Sequence, residues 1–213
     1  MWKELQSLEE HEVVYLIPST SVPPGSAIIG TRCVFRVKTD GRFKARLVVQ
    51  GWAQHGLDCF TTFAPVCRIE NQLLVLAIAA SRDWPVLALN VQTAFLSGTL
   101  QEDVYTKQAP GLEKIDKATN LPLVMKLYKS LYELRQSRNV WNSTIDKDLH
   151  TTCFTSTASD PCVHTKGNGN NFTMLTFFVD DMLITGPSNA SVADVRNMPM
   201  ARFAMTDLGI LGT

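Results

Sequence analysis

The chain has 213 residues, of which 45% are hydrophobic and 19% charged, and its formal net charge is zero. This composition is typical of a globular protein and excludes an intrinsically disordered one, and the net charge gives no sign of a polyanionic partner. No run approaches the roughly 18 apolar residues of a membrane span, and the N-terminus lacks an apolar signal region. We therefore expect an intracellular protein, cytoplasmic or nuclear and not secreted.

Five cysteines, at positions 33, 59, 67, 153 and 162, show no spacing typical of a disulfide framework, which favours a reducing compartment. Cys153, Cys162 and His164 could be considered as zinc ligands, but no fourth ligand follows at zinc-finger spacing. The sequence therefore gives zinc little support at these positions.

The chain begins with a predicted helix, in which Trp2, Leu5 and Leu8 recur on one face. Residues 18–26 are rich in Pro, Ser and Thr and predict a loop. Residues 33–51 predict a β-hairpin, which is where the chain departs most from its balanced charge.

Residues 31–52 hold six basic residues against a single acid, Asp40. A two-residue loop would split the basic residues between both faces of the hairpin. A three-residue loop at 39–41, with Gly41 left-handed, puts them all on one face. We predict the three-residue loop, and its basic face either binds phosphates or is an ordinary solvated surface. The six are Arg32, Arg36, Lys38, Arg42, Lys44 and Arg46, with Lys38 facing Arg42 and Arg36 facing Lys44.

Further along, helices and short strands alternate irregularly, which predicts an α+β domain built on an antiparallel sheet. The dense apolar stretch 68–84 predicts a buried helix that Pro85 ends. The remaining predictions are a buried strand at 86–91, a loop at 110–120, a partly helical segment at 127–149 with Trp141 facing inward, and a helix at about 191–203 that Pro199 should kink or shorten.

Two adjacent aspartates, Asp180 and Asp181, lie between apolar runs rich in aromatic and β-branched residues. Such flanks predict two strands that meet at a carboxylate turn. Neighbouring carboxylates repel each other, and a divalent cation would offset their charge because it binds oxygen ligands. A solvated polar turn is the alternative interpretation, and turn chemistry alone favours it.

Six segments carry the most specific patterns in the chain. They are KARLVVQG (44–51), TFAPV (62–66), LNVQTAFLSG (89–98), LYELRQ (131–136), FVDDM (178–182) and MTDLG (205–209). In this order they resemble the reverse transcriptase domain of copia-type retrotransposon Pol polyproteins, and the resemblance covers almost the whole chain. One segment alone would be weak support, whereas six in the family's order are strong.

The resemblance implies a right-hand polymerase fold of α+β class, whose fingers and palm contain an antiparallel sheet and packed helices. Because the chain ends soon after Asp207, we expect the family's thumb to be missing. The expected parts of this domain, residues 1–213, are 1–84 mostly in the fingers, 85–111 in the palm, 112–150 in helices of fingers and palm, and 151–213 in the palm.

The implied activity is RNA-directed DNA polymerisation, a two-metal phosphoryl transfer to a primer 3′-hydroxyl. The expected cofactor is Mg²⁺, as two ions, and the expected partners are an RNA or DNA template-primer and deoxynucleotides. No membrane partner is expected, and the oligomeric state is left open.

The resemblance also assigns roles to single residues. Asp180 and Asp181 would bind metal, and Arg46, with Lys44 nearby, would hold the triphosphate. Phe95 would block a ribose 2′-hydroxyl, and Gln136 would lie near the sugar. Without the resemblance, Phe95 and Gln136 would pass for a core and a surface residue. The other expected contacts to nucleic acid are Arg36, Lys38 and Arg42.

The third catalytic position departs from the family, because Asn90 stands where the resemblance implies an aspartate. An amide offers one neutral oxygen, so Mg²⁺ binding should weaken while the fold survives. We expect a truncated, degenerate reverse transcriptase domain with impaired catalysis. The alternative is a non-catalytic nucleic-acid-binding remnant of such a domain. The other departures are Gln92 for lysine, Glu133 for glycine, Ser137-Arg138 for Ala-Pro and Phe178 for tyrosine.

Overall fold

The computed structural model describes residues 1–54, 62–169 and 171–212, and its mixture of helices and sheets confirms the α+β class. The described α-helices are α1 (Trp2–Glu10), α2 (Ile69–Ser81), α3 (Ser137–Thr151) and α4 (Asn189–Arg202). The described strands are β1 (Val14–Ile17), β2 (Ile28–Ile29), β3 (Thr31–Val37), β4 (Phe43–Val49), β5 (Val86–Val91), β6 (Thr99–Thr106), β7 (Val124–Lys129), β8 (Thr155–Ser156), β9 (Val163–Asn168), β10 (Asn171–Phe178), β11 (Asp181–Thr185) and β12 (Met205–Ile210).

These elements form two compact units. The first unit comprises Met1–Phe63 and Phe95–Trp141, and the second comprises Ala64–Ala94 and Asn142–Thr213. None of the described helices is both long enough and apolar enough to cross a bilayer.

The first unit contains a four-stranded sheet in the order β1-β7-β6-β2 and the separate hairpin β3-β4. Its core includes Leu8 of α1, Leu47 of β4 and Leu127 of β7, all almost fully buried. The predicted N-terminal helix is present, but only Leu8 of its apolar face is buried, and Trp2 is 72% exposed.

The hairpin has the three-residue loop predicted from its charge pattern. Arg36 lies opposite Lys44, and the N–H of Lys38 donates to the carbonyl of Arg42 at 2.9 Å. Gly41 has a φ of +80°, which is the left-handed conformation that glycine adopts without strain. The opposite face is apolar but uncovered at the tip, where Phe35, Val37 and Phe43 are exposed.

The inner end of the hairpin is held by a close backbone approach. Gly51 begins a short 3₁₀ turn (Gly51–Ala53), and a Cβ at this position would lie only 2.1 Å from the carbonyl oxygen of Glu133. Glu133 itself has a φ of +66°, a conformation that costs a non-glycine residue about 1 to 2 kcal/mol. Position 51 therefore has no room for a side chain, and position 133 has a backbone conformation that side chains disfavour.

The second unit is built on a six-stranded antiparallel sheet in the order β12-β5-β11-β10-β9-β8. The predicted strand at 86–91 is β5, with Leu87, Ala88 and Leu89 buried. It lies between β11 and β12, so both of its edges are hydrogen-bonded. This position makes β5 the rigid element on which the neighbouring carboxylate turn rests.

The helix expected at 68–84 is present as α2, but the expectation that it is buried is wrong. Ile69, Leu73 and Leu74 are all more than half exposed, and only Val75 and Ala79 are buried. The helix is apolar around most of its circumference, and only one side of a helix can pack against a single layer. Composition therefore predicted the helix correctly and its burial incorrectly.

Three other expectations need refinement. Residues 127–149 begin in strand β7 and become helical only at Ser137, with Trp141 buried as predicted. Helix α4 begins at Asn189, after a capping box at Ser188, and continues for three residues beyond Pro199. Proline therefore lies in the last turn of α4 and does not shorten the helix much.

The described cysteines (Cys33, Cys67, Cys153 and Cys162) are free thiols, and Cys59 lies outside the described residues. Burial raises the pKa of both Cys67 and Cys162 to about 12. These two thiols are therefore protonated and unreactive at neutral pH.

Candidate active site

The two aspartates lie at the turn between β10 and β11. Phe178 pairs with Asp181 across the hairpin, so Val179 and Asp180 form a two-residue loop. Val179 has a φ of +59°, which a type II′ turn requires at its first position and which glycine usually supplies. For a β-branched residue this conformation is strained. The turn is thus held in place by the strands on either side.

Strand β5 anchors this turn from the side. Asn90 lies directly opposite Asp181 in the ladder between β5 and β11. The N–H of Val91 donates to the carbonyl of Asp180 at 2.7 Å. The structure therefore brings Asn90 together with Asp180 and Asp181, although Asn90 and Asp181 are 91 residues apart in sequence.

Asn90 and Asp181 are in direct contact, because Nδ2 of Asn90 donates a hydrogen bond to Oδ1 of Asp181 at 2.8 Å. Asp181 is exposed, and Asn90 and Asp180 are half-buried. Among the described residues, no third acidic, thiol or imidazole group completes a three-ligand cluster with the two aspartates. The site therefore offers two accessible carboxylates and one amide.

In the first unit, two of the residues expected to bind nucleotide contact the same ring. The Arg46 guanidinium carbon lies 5.2 Å from the centre of the Tyr132 ring. Phe95 meets Tyr132 edge-on, with ring centres 5.9 Å apart. Arg46 Nε is buried and has no hydrogen-bond partner among the described residues. Tyr132 was missed as a contact, although it belongs to the LYELRQ segment.

Glu4 is a second residue that the sequence did not single out. Its carboxylate accepts a hydrogen bond from the backbone N–H of Leu47 at 3.3 Å. Burial raises the pKa of Glu4, and the Leu47 hydrogen bond and the charges of Arg46 and Lys44 only partly offset that rise. An acid from α1 therefore lies near the two cations expected to hold a triphosphate.

Gln136 is buried, so its interpretation as a surface residue is wrong. Its amide oxygen accepts from Gln54 Nε2 at 3.0 Å, and its own Nε2 donates to Glu102 at 2.6 Å. Buried amides are normally satisfied in this way. Gln136 thus belongs to a polar chain inside the first unit.

Some of the basic residues on this face of the hairpin form ion pairs within the protein. Arg42 pairs with Asp40 of its own loop, and this hydrogen bond lowers the pKa of Asp40 and raises that of Arg42. Arg32 pairs with Glu133 at 3.0 Å. Arg36 and Lys38 are exposed on the same face and can reach a solvent-borne anion.

Comparison with known proteins adds an independent line of support. Residues 14–213 match the family described as reverse transcriptase (RNA-dependent DNA polymerase). Over 98% of its length the chain is 38% identical to the Pol polyprotein of transposon TNT 1-94 from Nicotiana tabacum, of which it spans 16%. It is 37% and 35% identical to the Pol polyproteins of transposons RE1 and RE2 from Arabidopsis thaliana, matching 87% of the chain and 13% of each polyprotein.

The matched segment thus corresponds to less than one fifth of each of these polyproteins. Its motifs, its α+β fold and the convergence of positions 90, 180 and 181 agree with the family match. The chain belongs to the reverse transcriptase family, as a domain of the kind found in copia-type retrotransposon Pol polyproteins.

Proposed function

We propose that the chain is the fingers and palm of an RNA-directed DNA polymerase. In this reaction a primer 3′-hydroxyl attacks the α-phosphate of a deoxynucleotide, a new phosphodiester bond forms, and pyrophosphate leaves. The observation that carries the proposal is the contact between Asn90 and Asp181 at the turn that also presents Asp180. In our proposal residues 1–84 belong mostly to the fingers, 85–111 and 151–213 to the palm, and 112–150 to both.

Asp180 and Asp181 would hold the divalent ions, since two accessible carboxylates form the oxygen-only donor set that Mg²⁺ prefers. When bound, Mg²⁺ supplies Lewis-acid stabilisation of the charge on the reacting phosphate. The remaining task of the protein is to position the substrates and to balance their charge.

Arg46 and Lys44 would neutralise the triphosphate. The Arg46 guanidinium lies over the Tyr132 ring in a cation–π contact, which restricts its direction while its N–H groups remain donors. Phe95 packs against the same tyrosine, and this contact would restrict the motion of its ring. In our proposal the Phe95 ring excludes the 2′-hydroxyl of a ribonucleotide. Gln136 would act on the sugar pocket indirectly, by fixing Gln54 and Glu102.

Asn90 is the reason to expect weak catalysis. Its Nδ2 group donates to an oxygen of Asp181 that would otherwise be free to bind metal. The site also carries one negative charge fewer than the three-aspartate site that the family implies. Loss of one metal ligand costs about 3 to 5 kcal/mol of transition-state stabilisation, or about two to four orders of magnitude in rate.

The direct test compares the wild-type chain with Asn90→Asp. Incorporation of dTTP on poly(rA) primed with oligo(dT) is measured with Mg²⁺ and with Mn²⁺. We expect the variant to extend the primer at least 100-fold faster than the wild type, and Asn90→Asp with Asp181→Asn to be inactive. Equal and measurable rates for wild type and Asn90→Asp would refute the role given to Asn90. Activity that survives Asp181→Asn would refute the site itself.

A non-catalytic nucleic-acid-binding role is the second candidate, and the exposed Arg36 and Lys38 on one face favour it. Phosphate contacts predict that the logarithm of the association constant falls linearly with the logarithm of salt concentration. Replacing both residues by Gln should reduce this slope by about two for duplex substrates. A flat salt response in the wild type would exclude this candidate.

A further inference from the structure

A second cluster of ligand-type side chains lies in the second unit, away from the aspartate turn in sequence. Asp146 and His150 belong to α3, and His164 belongs to β9. One ligand atom from each residue lies within 4.8 Å of the others. Nε2 of His164 is 3.0 Å from Oδ1 of Asp146, and Nδ1 of His150 is 3.5 Å from that same oxygen.

Regular structure fixes these positions. Asp146 and His150 are four residues apart, so they lie on one face of the helix, one turn from each other. His164 is fully buried and paired in the sheet with Leu175 of β10 and Ser156 of β8. Two ligands thus come from a helix face and the third from a strand that is paired on both edges.

The spacing suits a small ion with bonds of about 2.0 to 2.2 Å, because a tetrahedral ion of that size separates its ligand atoms by roughly 3.4 Å. The two contacts of Asp146 Oδ1 with the histidine nitrogens, at 3.0 and 3.5 Å, already match this separation. The side chain of His150 is 46% exposed, so its ring can rotate to bring its ligand nitrogen to the same separation from Nε2 of His164.

The ligand types also discriminate between ions. Two imidazoles and one carboxylate favour zinc and its transition-metal neighbours over Mg²⁺, which binds oxygen ligands. A metal binds the neutral imidazole through whichever ring nitrogen lacks a proton.

We propose that Asp146, His150 and His164 bind one Zn²⁺-class ion, with water as a fourth ligand, and that this ion ties α3 to β9. The exposure of His150 and Asp146 opens the fourth position to solvent. Cys153 and Cys162, which the sequence placed beside His164 as candidates, take no part in the site. The ion is structural and takes no part in nucleotide chemistry.

The surroundings limit the affinity of this site. Coordination through Nε2 puts the proton of His164 on Nδ1, which is buried and has no hydrogen-bond partner among the described residues. Histidines that bind metal normally donate this proton to a neighbour, and loss of such a neighbour weakens binding about 10- to 100-fold. His150 must also give up its 2.8 Å contact with the Asp146 carbonyl. We therefore expect dissociation constants in the micromolar range.

The test uses the full chain in millimolar Mg²⁺, which occupies oxygen-only sites. Co²⁺ is titrated and its visible absorption recorded, and Zn²⁺ is then used to displace it. We expect one ion per chain and an absorption band typical of tetrahedral or five-coordinate Co²⁺ with nitrogen ligands. His150→Gln, at an exposed position, should weaken binding at least 10-fold, and Asp146→Asn should do so as well.

His11→Gln is the matched control, because it removes an imidazole outside the cluster, and Cys153→Ser controls for thiol binding. Both should bind Co²⁺ as the wild type does. Zn²⁺ should raise the melting temperature of the wild type and of both controls but not that of His150→Gln. The proposal is overturned if the wild type binds no Co²⁺ under these conditions, or if His150→Gln binds it equally well.

Discussion

Position 90 carries a hydrogen bond where the family pattern would carry a negative charge. Asn90 donates to Asp181 at 2.8 Å, so the amide stabilises the turn when no metal is present. An aspartate there would bring two carboxylates into contact. Each neutralising cation would then be bound more tightly, but the metal-free protein would be less stable.

We therefore predict that Asn90→Asp lowers stability without metal by about 1 to 2 kcal/mol, because like charges replace a hydrogen bond. For a chain of this size that corresponds to about 2 to 8 °C in melting temperature. Mg²⁺ should restore the loss, and thermal melts with Mg²⁺ or EDTA measure it. Asn168→Asp, which adds the same charge at an exposed strand end, should show no such dependence on Mg²⁺.

Single residues were predictable from the sequence where chemistry marks them, as at Asp180, Asp181 and Asn90. Contacts between distant positions were not. Glu4 reaches Leu47, and Arg46 contacts Tyr132 across more than 80 residues, and no local pattern indicates either contact. At Glu133 the departure from the family's glycine was visible, and a glycine at that position is itself a sign of the positive φ that the structure has, although this inference was not drawn from the sequence.

At the scale of elements, helix α2 begins without a capping side chain of its own. The buried carboxylate of Asp160 lies against this helix start from outside the helix, and it binds the N-cap residue and a first-turn side chain instead of the first helical N–H groups. It accepts from the N–H of Arg68, from Asn71 Nδ2 and from the N–H of Cys162, each at 2.9 Å. Burial raises the pKa of Asp160, but these hydrogen bonds outweigh burial, and the net pKa is lowered.

Asp160→Asn should cost about 1 to 3 kcal/mol at neutral pH, because an amide cannot accept all three hydrogen bonds and brings N–H groups against other donors. A lowered folded pKa means that the contribution is complete above the unfolded value of about 3.9 and is lost as pH falls through the folded one. Denaturant unfolding at a series of pH values should show a constant difference above about pH 5 and a shrinking one below about pH 4. Asp194→Asn, at an exposed position on α4, should differ little from wild type at any pH.

The hairpin β3-β4 shows what the sequence pattern of a single element can and cannot predict. Its register followed from the segregation of basic and apolar residues together with one glycine, since a one-residue slip would exchange the two faces. The solvent exposure of its apolar face could not be predicted. The alternation of apolar and basic residues shows which residues share a face, but it does not show what covers that face. Phe43, 91% exposed, is the clearest example.

At the scale of the whole molecule, the α+β class was predictable, whereas the bounds of the two compact units, which change over after Phe63, Ala94 and Trp141, were not visible in the sequence pattern. Burial of α2 was mispredicted at the same scale. An apolar run of this kind identifies a helix, but the number of layers packed on it depends on the entire chain. Ile69, Leu73 and Leu74 consequently form an exposed apolar face.

Leu73→Gln with Leu74→Gln should change stability by less than about 0.5 kcal/mol per site, because neither side chain is buried. Denaturant unfolding measures the effect. Val75→Gln, in the buried face of the same helix, should instead cost about 2 to 4 kcal/mol. If both kinds of variant unfold alike, α2 is more deeply packed than described.

The close backbone approach at Gly51 predicts which copies of the gene should retain this residue. Any side chain at this position must displace the backbone around Glu133, so a substitution here should destabilise the fold even in a copy that keeps every proposed catalytic group. Sister copies still translated into a useful protein should keep this glycine even where position 90 varies. Copies released from selection should lose it as readily as any other codon.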